Sequence, residues 1–333
     1  MGERGIPHLP TAGRWGTRRI LRVHNGVWVK GNGVDEISTD AQRHPDVVYH
    51  YTSMPVLLKI IEEKQLWATN ARFLNDISEY QFFLSAAQGR LPAVIPDLEF
   101  IDLASWAKQE SRPPGGVPDF LSVPFVTSFS LHDDSLTNWR SYCSVGNGVS
   151  IGFRTGSLYE AYVDRLALPG VIVPEPDFGG VYYLDPNNTD FVDSTIRNAY
   201  EAAKDDLLRF PLDNLPAALA RRLASAASFV KDHSFENEGE YRLTVGGIGW
   251  RRDLLRFKTT RSTLVPYLRM NIPALPSAPR KIGESDDAWN AIASITIGPT
   301  PNMSLSFDSL SVFCSTHGIE PTISGSRVPY REW

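Results

Sequence analysis

Apolar positions along this chain fall into short alternating runs separated by polar turns, with a few stretches at helical spacing. Val47-Val48-Tyr49-His50-Tyr51-Thr52 is short, β-branched and aromatic, which predicts a strand. Ser53 is placed to cap a following helix, Pro55 fits its first turn, and Leu57, Ile60 and Ile61 make one apolar face. Leu66-Trp67-Ala68-Thr69 reads as a second short strand, and Asp76 with Glu79 has the spacing of a capping box before another helix. Arg112-Pro113-Pro114-Gly115-Gly116-Val117-Pro118 is a loop. Pro124 to Ser130 alternates, with Phe125, Thr127 and Phe129 on one face and Val126, Ser128 and Ser130 on the other.

Beyond the turn His132-Asp133-Asp134, Trp139 to Tyr142 predicts a short helix, and Gly146-Asn147-Gly148 a hairpin-type turn into the strand Val149 to Phe153. Strands are expected at Gly170 to Val173 and Gly180 to Leu184, helix over most of 190–231 with interruptions at Pro211 and Pro216, and a strand from Glu240 to Val245. Ile292 to Ile297 and Leu310 to Phe313 read as two closing elements on either side of Gly298-Pro299. Residues 1–44 are an appendage, rich in Gly, Arg and Asn, with a hairpin-like patch around Ile20 to Val23; 45–325 form one domain with a helical insertion at 190–231. Strands and helices do not alternate regularly, so the fold class is α+β rather than a doubly wound parallel sheet.

Composition changes this picture little. At 42% hydrophobic and 21% charged residues the chain has the material for a core and no disordered tract. A net charge of -5 argues against coating nucleic acid through bulk electrostatics, although Arg251, Arg252, Arg256, Lys258 and Arg261 form a local basic stretch. Two cysteines exclude a disulfide framework and an all-thiolate metal site. The start of the chain has no apolar run suited to a signal peptide, and no window approaches the roughly 20 apolar residues of a membrane span, so a cytoplasmic location without membrane partners is expected. Neither a Walker pattern nor a strand-linked GxGxxG occurs.

Candidate chemistry lies on or beside the predicted strands: His50-Tyr51-Thr52, Ser128-Phe129-Ser130, Trp139 with Tyr142, and Glu238-Gly239-Glu240-Tyr241-Arg242. Singly, each has a structural explanation: a hydrogen-bonded histidine, a polar sheet face, an aromatic core pair, an alternating ion pair. Their order, with Asn75-Asp76, Glu79 and the run Gly148 to Phe153 between them, is similar to the bacterial family called domain of unknown function 2971, from about Val47 to about Pro299.

A more distant resemblance is to the ADP-ribosyltransferase superfamily, whose triads set a strand-borne His or Arg, a middle-strand hydroxyl or aromatic, and a late strand-borne Glu. That resemblance implies a mixed, mostly antiparallel split sheet with helices, NAD as co-substrate, and transfer of ADP-ribose to a macromolecule in a toxin or phage-defence setting. Nucleic acid is slightly favoured over protein as acceptor, and an antitoxin or regulatory partner would fit. It further implies that Glu240 stabilises positive charge on the nicotinamide ribose, with Glu238 as the alternative carboxylate or a general base on the acceptor. His50, Tyr51, Thr52, Ser128, Phe129, Ser130 and Tyr142 would hold the dinucleotide; Asn75, Asp76, Glu79, Trp139 and Arg140 have no counterpart in the triad and, with Arg242, point to an acceptor site or to a different substrate. The middle strand lacks the tyrosine of the His-Tyr-Glu group, so either Phe129 or another aromatic such as Tyr142 takes that place, or nicotinamide is not the ligand. Two other readings stay open: a nucleotide- or partner-binding sensor without catalysis, and NAD hydrolysis without transfer.

Overall fold

The computed structural model describes residues 21–24, 27–30, 45–74, 77–98, 103, 123–143, 146–163, 176–185, 187–209, 214–246, 248, 251–260, 262–274 and 289–329. Among them, eleven strands join in one mostly antiparallel sheet with helices packed on it, an α+β architecture. Its path runs β12 (Arg256–Thr259), β13 (Leu264–Asn271), β4 (Gln65–Asn70), β5 (Phe125–Ser130), β3 (Val47–Ser53), β6 (Gly148–Arg154), β14 (Ile292–Ile297) and β15 (Thr322–Gly325). Only the β14 and β15 pairing in this path is parallel. β11 (Glu240–Val245) pairs along the whole of β5 and takes β8 (Pro176–Gly180) on its outer edge, while β7 (Tyr162–Val163) joins β13. Within the expected appendage, β1 (Leu21–His24) and β2 (Val27–Lys30) form an antiparallel hairpin.

β5 divides two apolar cores, because successive side chains of a strand point to opposite faces. Phe125 and Phe129 enter one core with Leu57, Ile60 and Ile61 of α1 (Met54–Glu63), Phe153 of β6 and Leu243 of β11. Val126 enters the other with α2 (Ile77–Val94), α5 (Thr189–Arg209) and α6 (Leu215–Ala227). The i, i+3, i+4 spacing of Leu57, Ile60 and Ile61 buries all three, each contributing about 1.5–3 kcal/mol of hydrophobic stabilisation. On α6 the buried face is mostly small, Ala218, Ala220, Ala224 and Ala227 beside Leu219 and Leu223, so its backbone approaches α2 and α5 closely. Asn214 caps α6 by accepting from the Ala217 N–H at 2.9 Å.

Several local expectations change. Ser53 makes no side-chain cap bond; α1 begins instead with the Met54 N–H on the Asn147 carbonyl at 3.0 Å. Gly146 to Gly148 connects α3 (Leu136–Tyr142) to β6, so it is not a hairpin turn between strands. Gly180 to Leu184 is two strands, because the chain changes partner at Val181: its N–H bonds the Glu240 carbonyl, and the next N–H, on Tyr182, bonds Phe229. β9 (Tyr182–Leu184) then pairs in parallel with β10 (Val230–Asp232), the end of the expected helical region. Pro216 opens α6 rather than interrupting a helix, since its missing N–H is an orphan there anyway. Leu310 to Phe313 belong to α7 (Met303–Thr316). A short helix, α4 (Thr155–Tyr159), follows β6. The expected strand at 170–173, the capping pair Asp76 and Glu79 and the 112–118 loop lie outside the described residues or side chains.

Candidate functional site

Two strands compete for one edge of β5, and that competition makes the site. β4 pairs with its start, Thr69 opposite Val126 and Asn70 opposite Phe125, while β3 pairs with its end, Tyr49 opposite Ser130. Between these points β3 and β4 part, and residues 127–129 have no ladder partner on that edge. Side chains fill in for the missing ladder. His50 Nδ1 donates to the Ser128 carbonyl at 2.9 Å, and Thr127 Oγ1 donates to the Trp67 carbonyl at 3.2 Å. α1, which links β3 to β4, underlies the gap, and a cavity of about 680 Å³ opens there.

The carbonyl acceptor decides the state of His50. A carbonyl cannot donate, so Nδ1 carries the proton and Nε2 of the neutral ring is left as an acceptor. Burial pushes the imidazole pKa down, the Ser128 bond opposes that, and the Lys258 charge reinforces it; the net direction is down. The ring lies 5.7 Å from that of Phe129, so the cavity is lined there by a neutral imidazole against an apolar aromatic.

The back wall is an ionic cluster on β11 and β10. Arg242 grips Glu240 with two bonds, Nε to Oε1 at 2.8 Å and Nη2 to Oε2 at 2.9 Å, and its Nη1 donates to the Ser228 carbonyl at 2.9 Å. Lys231 Nζ lies 2.6 Å from Glu238 Oε2 and 3.4 Å from Glu240 Oε2. Burial pushes the Glu240 carboxyl up, but the Arg242 charge and its bonds, Lys231 and the Ser128 hydroxyl together hold it below its usual value. Glu240 is therefore ionised. Glu238 reaches this cluster by a route the alternation of a strand does not give. It ends a 3₁₀ turn, His233–Glu238, and Gly239 follows in the left-handed region at φ 52°, where a Cβ would sit 3.1 Å from His132 Nε2. The strand begins only at Glu240.

The cavity lining includes His50, Tyr51, Thr52, Ser128, Phe129, Ser130, Tyr142, Glu238, Glu240 and Arg242 from the sequence-based set. Their commitments differ. Ser128 faces Glu240, whereas Ser130 Oγ donates to the Glu238 carbonyl at 2.9 Å and accepts from Asn138 Nδ2 at 2.9 Å, a bracing role. The Tyr51 hydroxyl donates to the His132 carbonyl at 2.8 Å and accepts from the Ser135 N–H at 2.9 Å; burial pushes its pKa up to about 12. Tyr142 stands at the rim, partly exposed.

Trp139 and Arg140 do not line the cavity. Trp139 is buried edge-on to Tyr51, ring centroids 4.7 Å apart, and its Nε1 donates to Asp134 at 2.7 Å. Asn75, Asp76 and the Glu79 side chain lie outside the described residues. Of the basic stretch, only Lys258 lines the cavity; Arg251 is paired with Asp253 at 2.8 Å, and Arg261 is outside the described residues. Sequence reasoning passed over Lys59, Trp67 and Lys231. Lys59 sat on the polar face of an amphipathic helix, and Lys231 at what read as a helix end, so neither carried a periodic signal.

The match to known families falls on this wall. The model of the family described as protein of unknown function (DUF2971) matches residues 138–243. The match covers less than half of the chain. The DUF2971 segment runs from α3 to the first four residues of β11, so it supplies Asn138, Tyr142, Lys231, Glu238, Glu240 and Arg242 to the cavity, while β3, β4 and β5 lie ahead of it. No curated protein and no solved structure matches the chain. Among the described residues, no helix is long and apolar enough to cross a membrane.

Proposed function

We propose that the cavity binds NAD and that the protein transfers its ADP-ribose to a macromolecular acceptor, in the manner of the ADP-ribosyltransferases, as a bacterial effector. The observation that carries this reading is that His50 and Glu240, 190 positions apart in the chain, line one cavity where two strands part on β5. A volume of about 680 Å³ lies inside the range of about 300–1,000 Å³ of small-molecule and cofactor sites. Four cationic side chains (Lys59, Lys231, Arg242, Lys258) against two carboxylates (Glu238, Glu240) suit a ligand carrying a diphosphate, and Tyr49, Trp67, Phe73 and Phe129 offer ring faces and edges.

In this reaction the bond from nicotinamide nitrogen to ribose C1′ breaks, the electron pair leaves with nicotinamide, and the acceptor nucleophile bonds to C1′ as it loses a proton. Charge on the ribose grows in the transition state, so an ionised carboxylate fixed beforehand stabilises it without reorganising. Glu240 is such a carboxylate, ionised and immobilised by Arg242. Glu238, held through one oxygen by Lys231 and partly open to solvent, suits removal of the acceptor proton. His50 Nε2 accepts from a ribose hydroxyl.

The test is incubation of the purified protein with NAD carrying a labelled adenylate and a cell extract. Label in nucleic acid or protein with nicotinamide release, lost in Glu240→Gln and Glu238→Gln, supports the reading. Free ADP-ribose as the only product would make the protein a glycohydrolase. A second reading, a nucleotide-binding sensor without turnover, is favoured by one observation: both Glu240 oxygens are already taken by Arg242. Saturable NAD binding without any nicotinamide release would select it.

A further inference from the structure

The charged groups around the cavity are not evenly matched. At the β11 end, Lys231 and Arg242 meet Glu238 and Glu240. At the β4 end, Lys59 and Lys258 meet a ring instead: their Nζ atoms lie 5.3 Å and 6.0 Å from the centre of Trp67. Trp67 is held in place by Tyr267 of the neighbouring strand, stacked on it with centroids 4.6 Å apart and planes at 29°. The Lys258 ammonium also donates to Thr69 Oγ1 at 3.0 Å. Neither lysine makes an ion pair among the described residues.

Two ammonium groups drawn to one ring in a half-enclosed cavity repel each other. Cation–π attraction offsets part of that cost but supplies no countercharge. Burial of Lys258 adds to the cost, pushing its pKa down. A group with two or more negative charges between the lysines would relieve all three terms at once. Lys59 is exposed and Lys258 half-buried, and both line the cavity bounded by β3, β4, β5 and α1, where one anion can meet the two ammonium groups together.

We propose that Lys59 and Lys258, both drawn to the Trp67 ring, form a diphosphate-binding subsite, which anchors the dinucleotide at the β4 end of the cavity. This assignment rests on the nucleotide reading of the cavity for its physiological ligand, while the anion site itself is testable without it. Inorganic pyrophosphate is the probe for the site, and ADP-ribose against adenosine is the probe for its use.

Pyrophosphate is expected to raise the thermal midpoint of the wild-type protein, by an amount that shrinks as salt rises, and to have no effect on a Lys59→Gln, Lys258→Gln variant. ADP-ribose is expected to bind wild type at least about tenfold more tightly than adenosine, and the double variant to lose that advantage. Lys59 is exposed on α1, so Lys59→Gln alone keeps the fold and should still weaken pyrophosphate binding. Wild-type response to pyrophosphate in both variants would overturn the subsite. Pyrophosphate protection that depends on the lysines, with no binding of NAD or ADP-ribose, would keep the anion site and sink the NAD reading instead; binding of ADP-ribose that ignores both lysines would do the reverse.

Discussion

Removing one member of the Glu240–Arg242 pair leaves the other almost fully buried without the partner that takes two of its hydrogen bonds. Both side chains are almost fully buried, at 6% and 5% exposure, and they share two hydrogen bonds, 2.8 Å and 2.9 Å long. Breaking a buried pair from one side costs about 3–5 kcal/mol, and Arg242→Met should fall in that range because Glu240 keeps only the 3.4 Å contact to Lys231 and the Ser128 hydroxyl. Glu240→Gln removes the carboxylate that accepts two of the guanidinium's bonds and should cost a similar amount. The double variant Glu240→Gln, Arg242→Met leaves no unpaired charge of the two, and Lys231 keeps Glu238 at 2.6 Å, so its loss should be smaller than the sum of the singles by about 1–3 kcal/mol. Urea unfolding of the four proteins at pH 7 measures this. The pH dependence has a definite sign: Glu240 titrates below its usual value in the folded state, so its contribution is complete above the unfolded value of about 4.3 and is lost as pH falls through the folded one. Additive single variants, or an Arg242→Met loss under about 1 kcal/mol, would refute the claim that the two charges depend on each other in a buried setting.

Asp134 accepts from Trp139 Nε1 at 2.7 Å, Ser326 Oγ at 2.6 Å and the Arg327 N–H at 2.7 Å, tying the segment after β15 to α3. Asp134→Ala should destabilise the protein by about 2 kcal/mol or more and speed amide exchange at residues 326–328; unchanged exchange there would refute the tie. Burial pushes the Asp134 carboxyl up and these bonds bring it below its usual value, so the tie weakens only as pH drops through that depressed value. A Cβ at Gly298 would stand 2.9 Å from the Gly148 carbonyl oxygen and 3.1 Å from the Trp139 ring, so Gly298→Ala should cost about 1–3 kcal/mol in thermal unfolding. Cys143 sits with its thiol pKa pushed up to about 12 by burial, so alkylation by iodoacetamide at pH 8 should be slow until the protein unfolds, and rapid labelling of the native state would count against that burial.

How much of the site was legible in the sequence depends on which interaction makes each part. β-Branched and aromatic content marked 47–52 and alternation marked 124–130 as strands, with 240–245 read as a third, and these strands carry His50, Ser128 and Glu240. Their convergence follows from pairing register, which no local pattern encodes: β3 and β4, joined by α1, meet the same edge of β5 at opposite ends. The two glutamates show the same limit from the other side. Spacing placed them together on one strand face, yet the turn at Gly239 puts Glu238 outside the strand, and Lys231 is what gathers both carboxylates.

The register also changes what His50 is. Had β3 paired with β5 along its length, the Ser128 carbonyl would bond a backbone N–H and the histidine ring would be free to choose its tautomer. Because the strands part after Tyr49, the ring takes over the carbonyl, and that one bond fixes the proton on Nδ1. Burial and Lys258 then keep the ring neutral, so the acceptor on Nε2 is a consequence of strand divergence rather than of the histidine alone. The bond that closes the gap in the sheet also leaves Nε2 as an acceptor, which is what the proposed nucleotide hydroxyl would require. His50→Asn cannot keep both, and should lose nucleotide binding together with stability, whereas a purely structural histidine would lose stability alone.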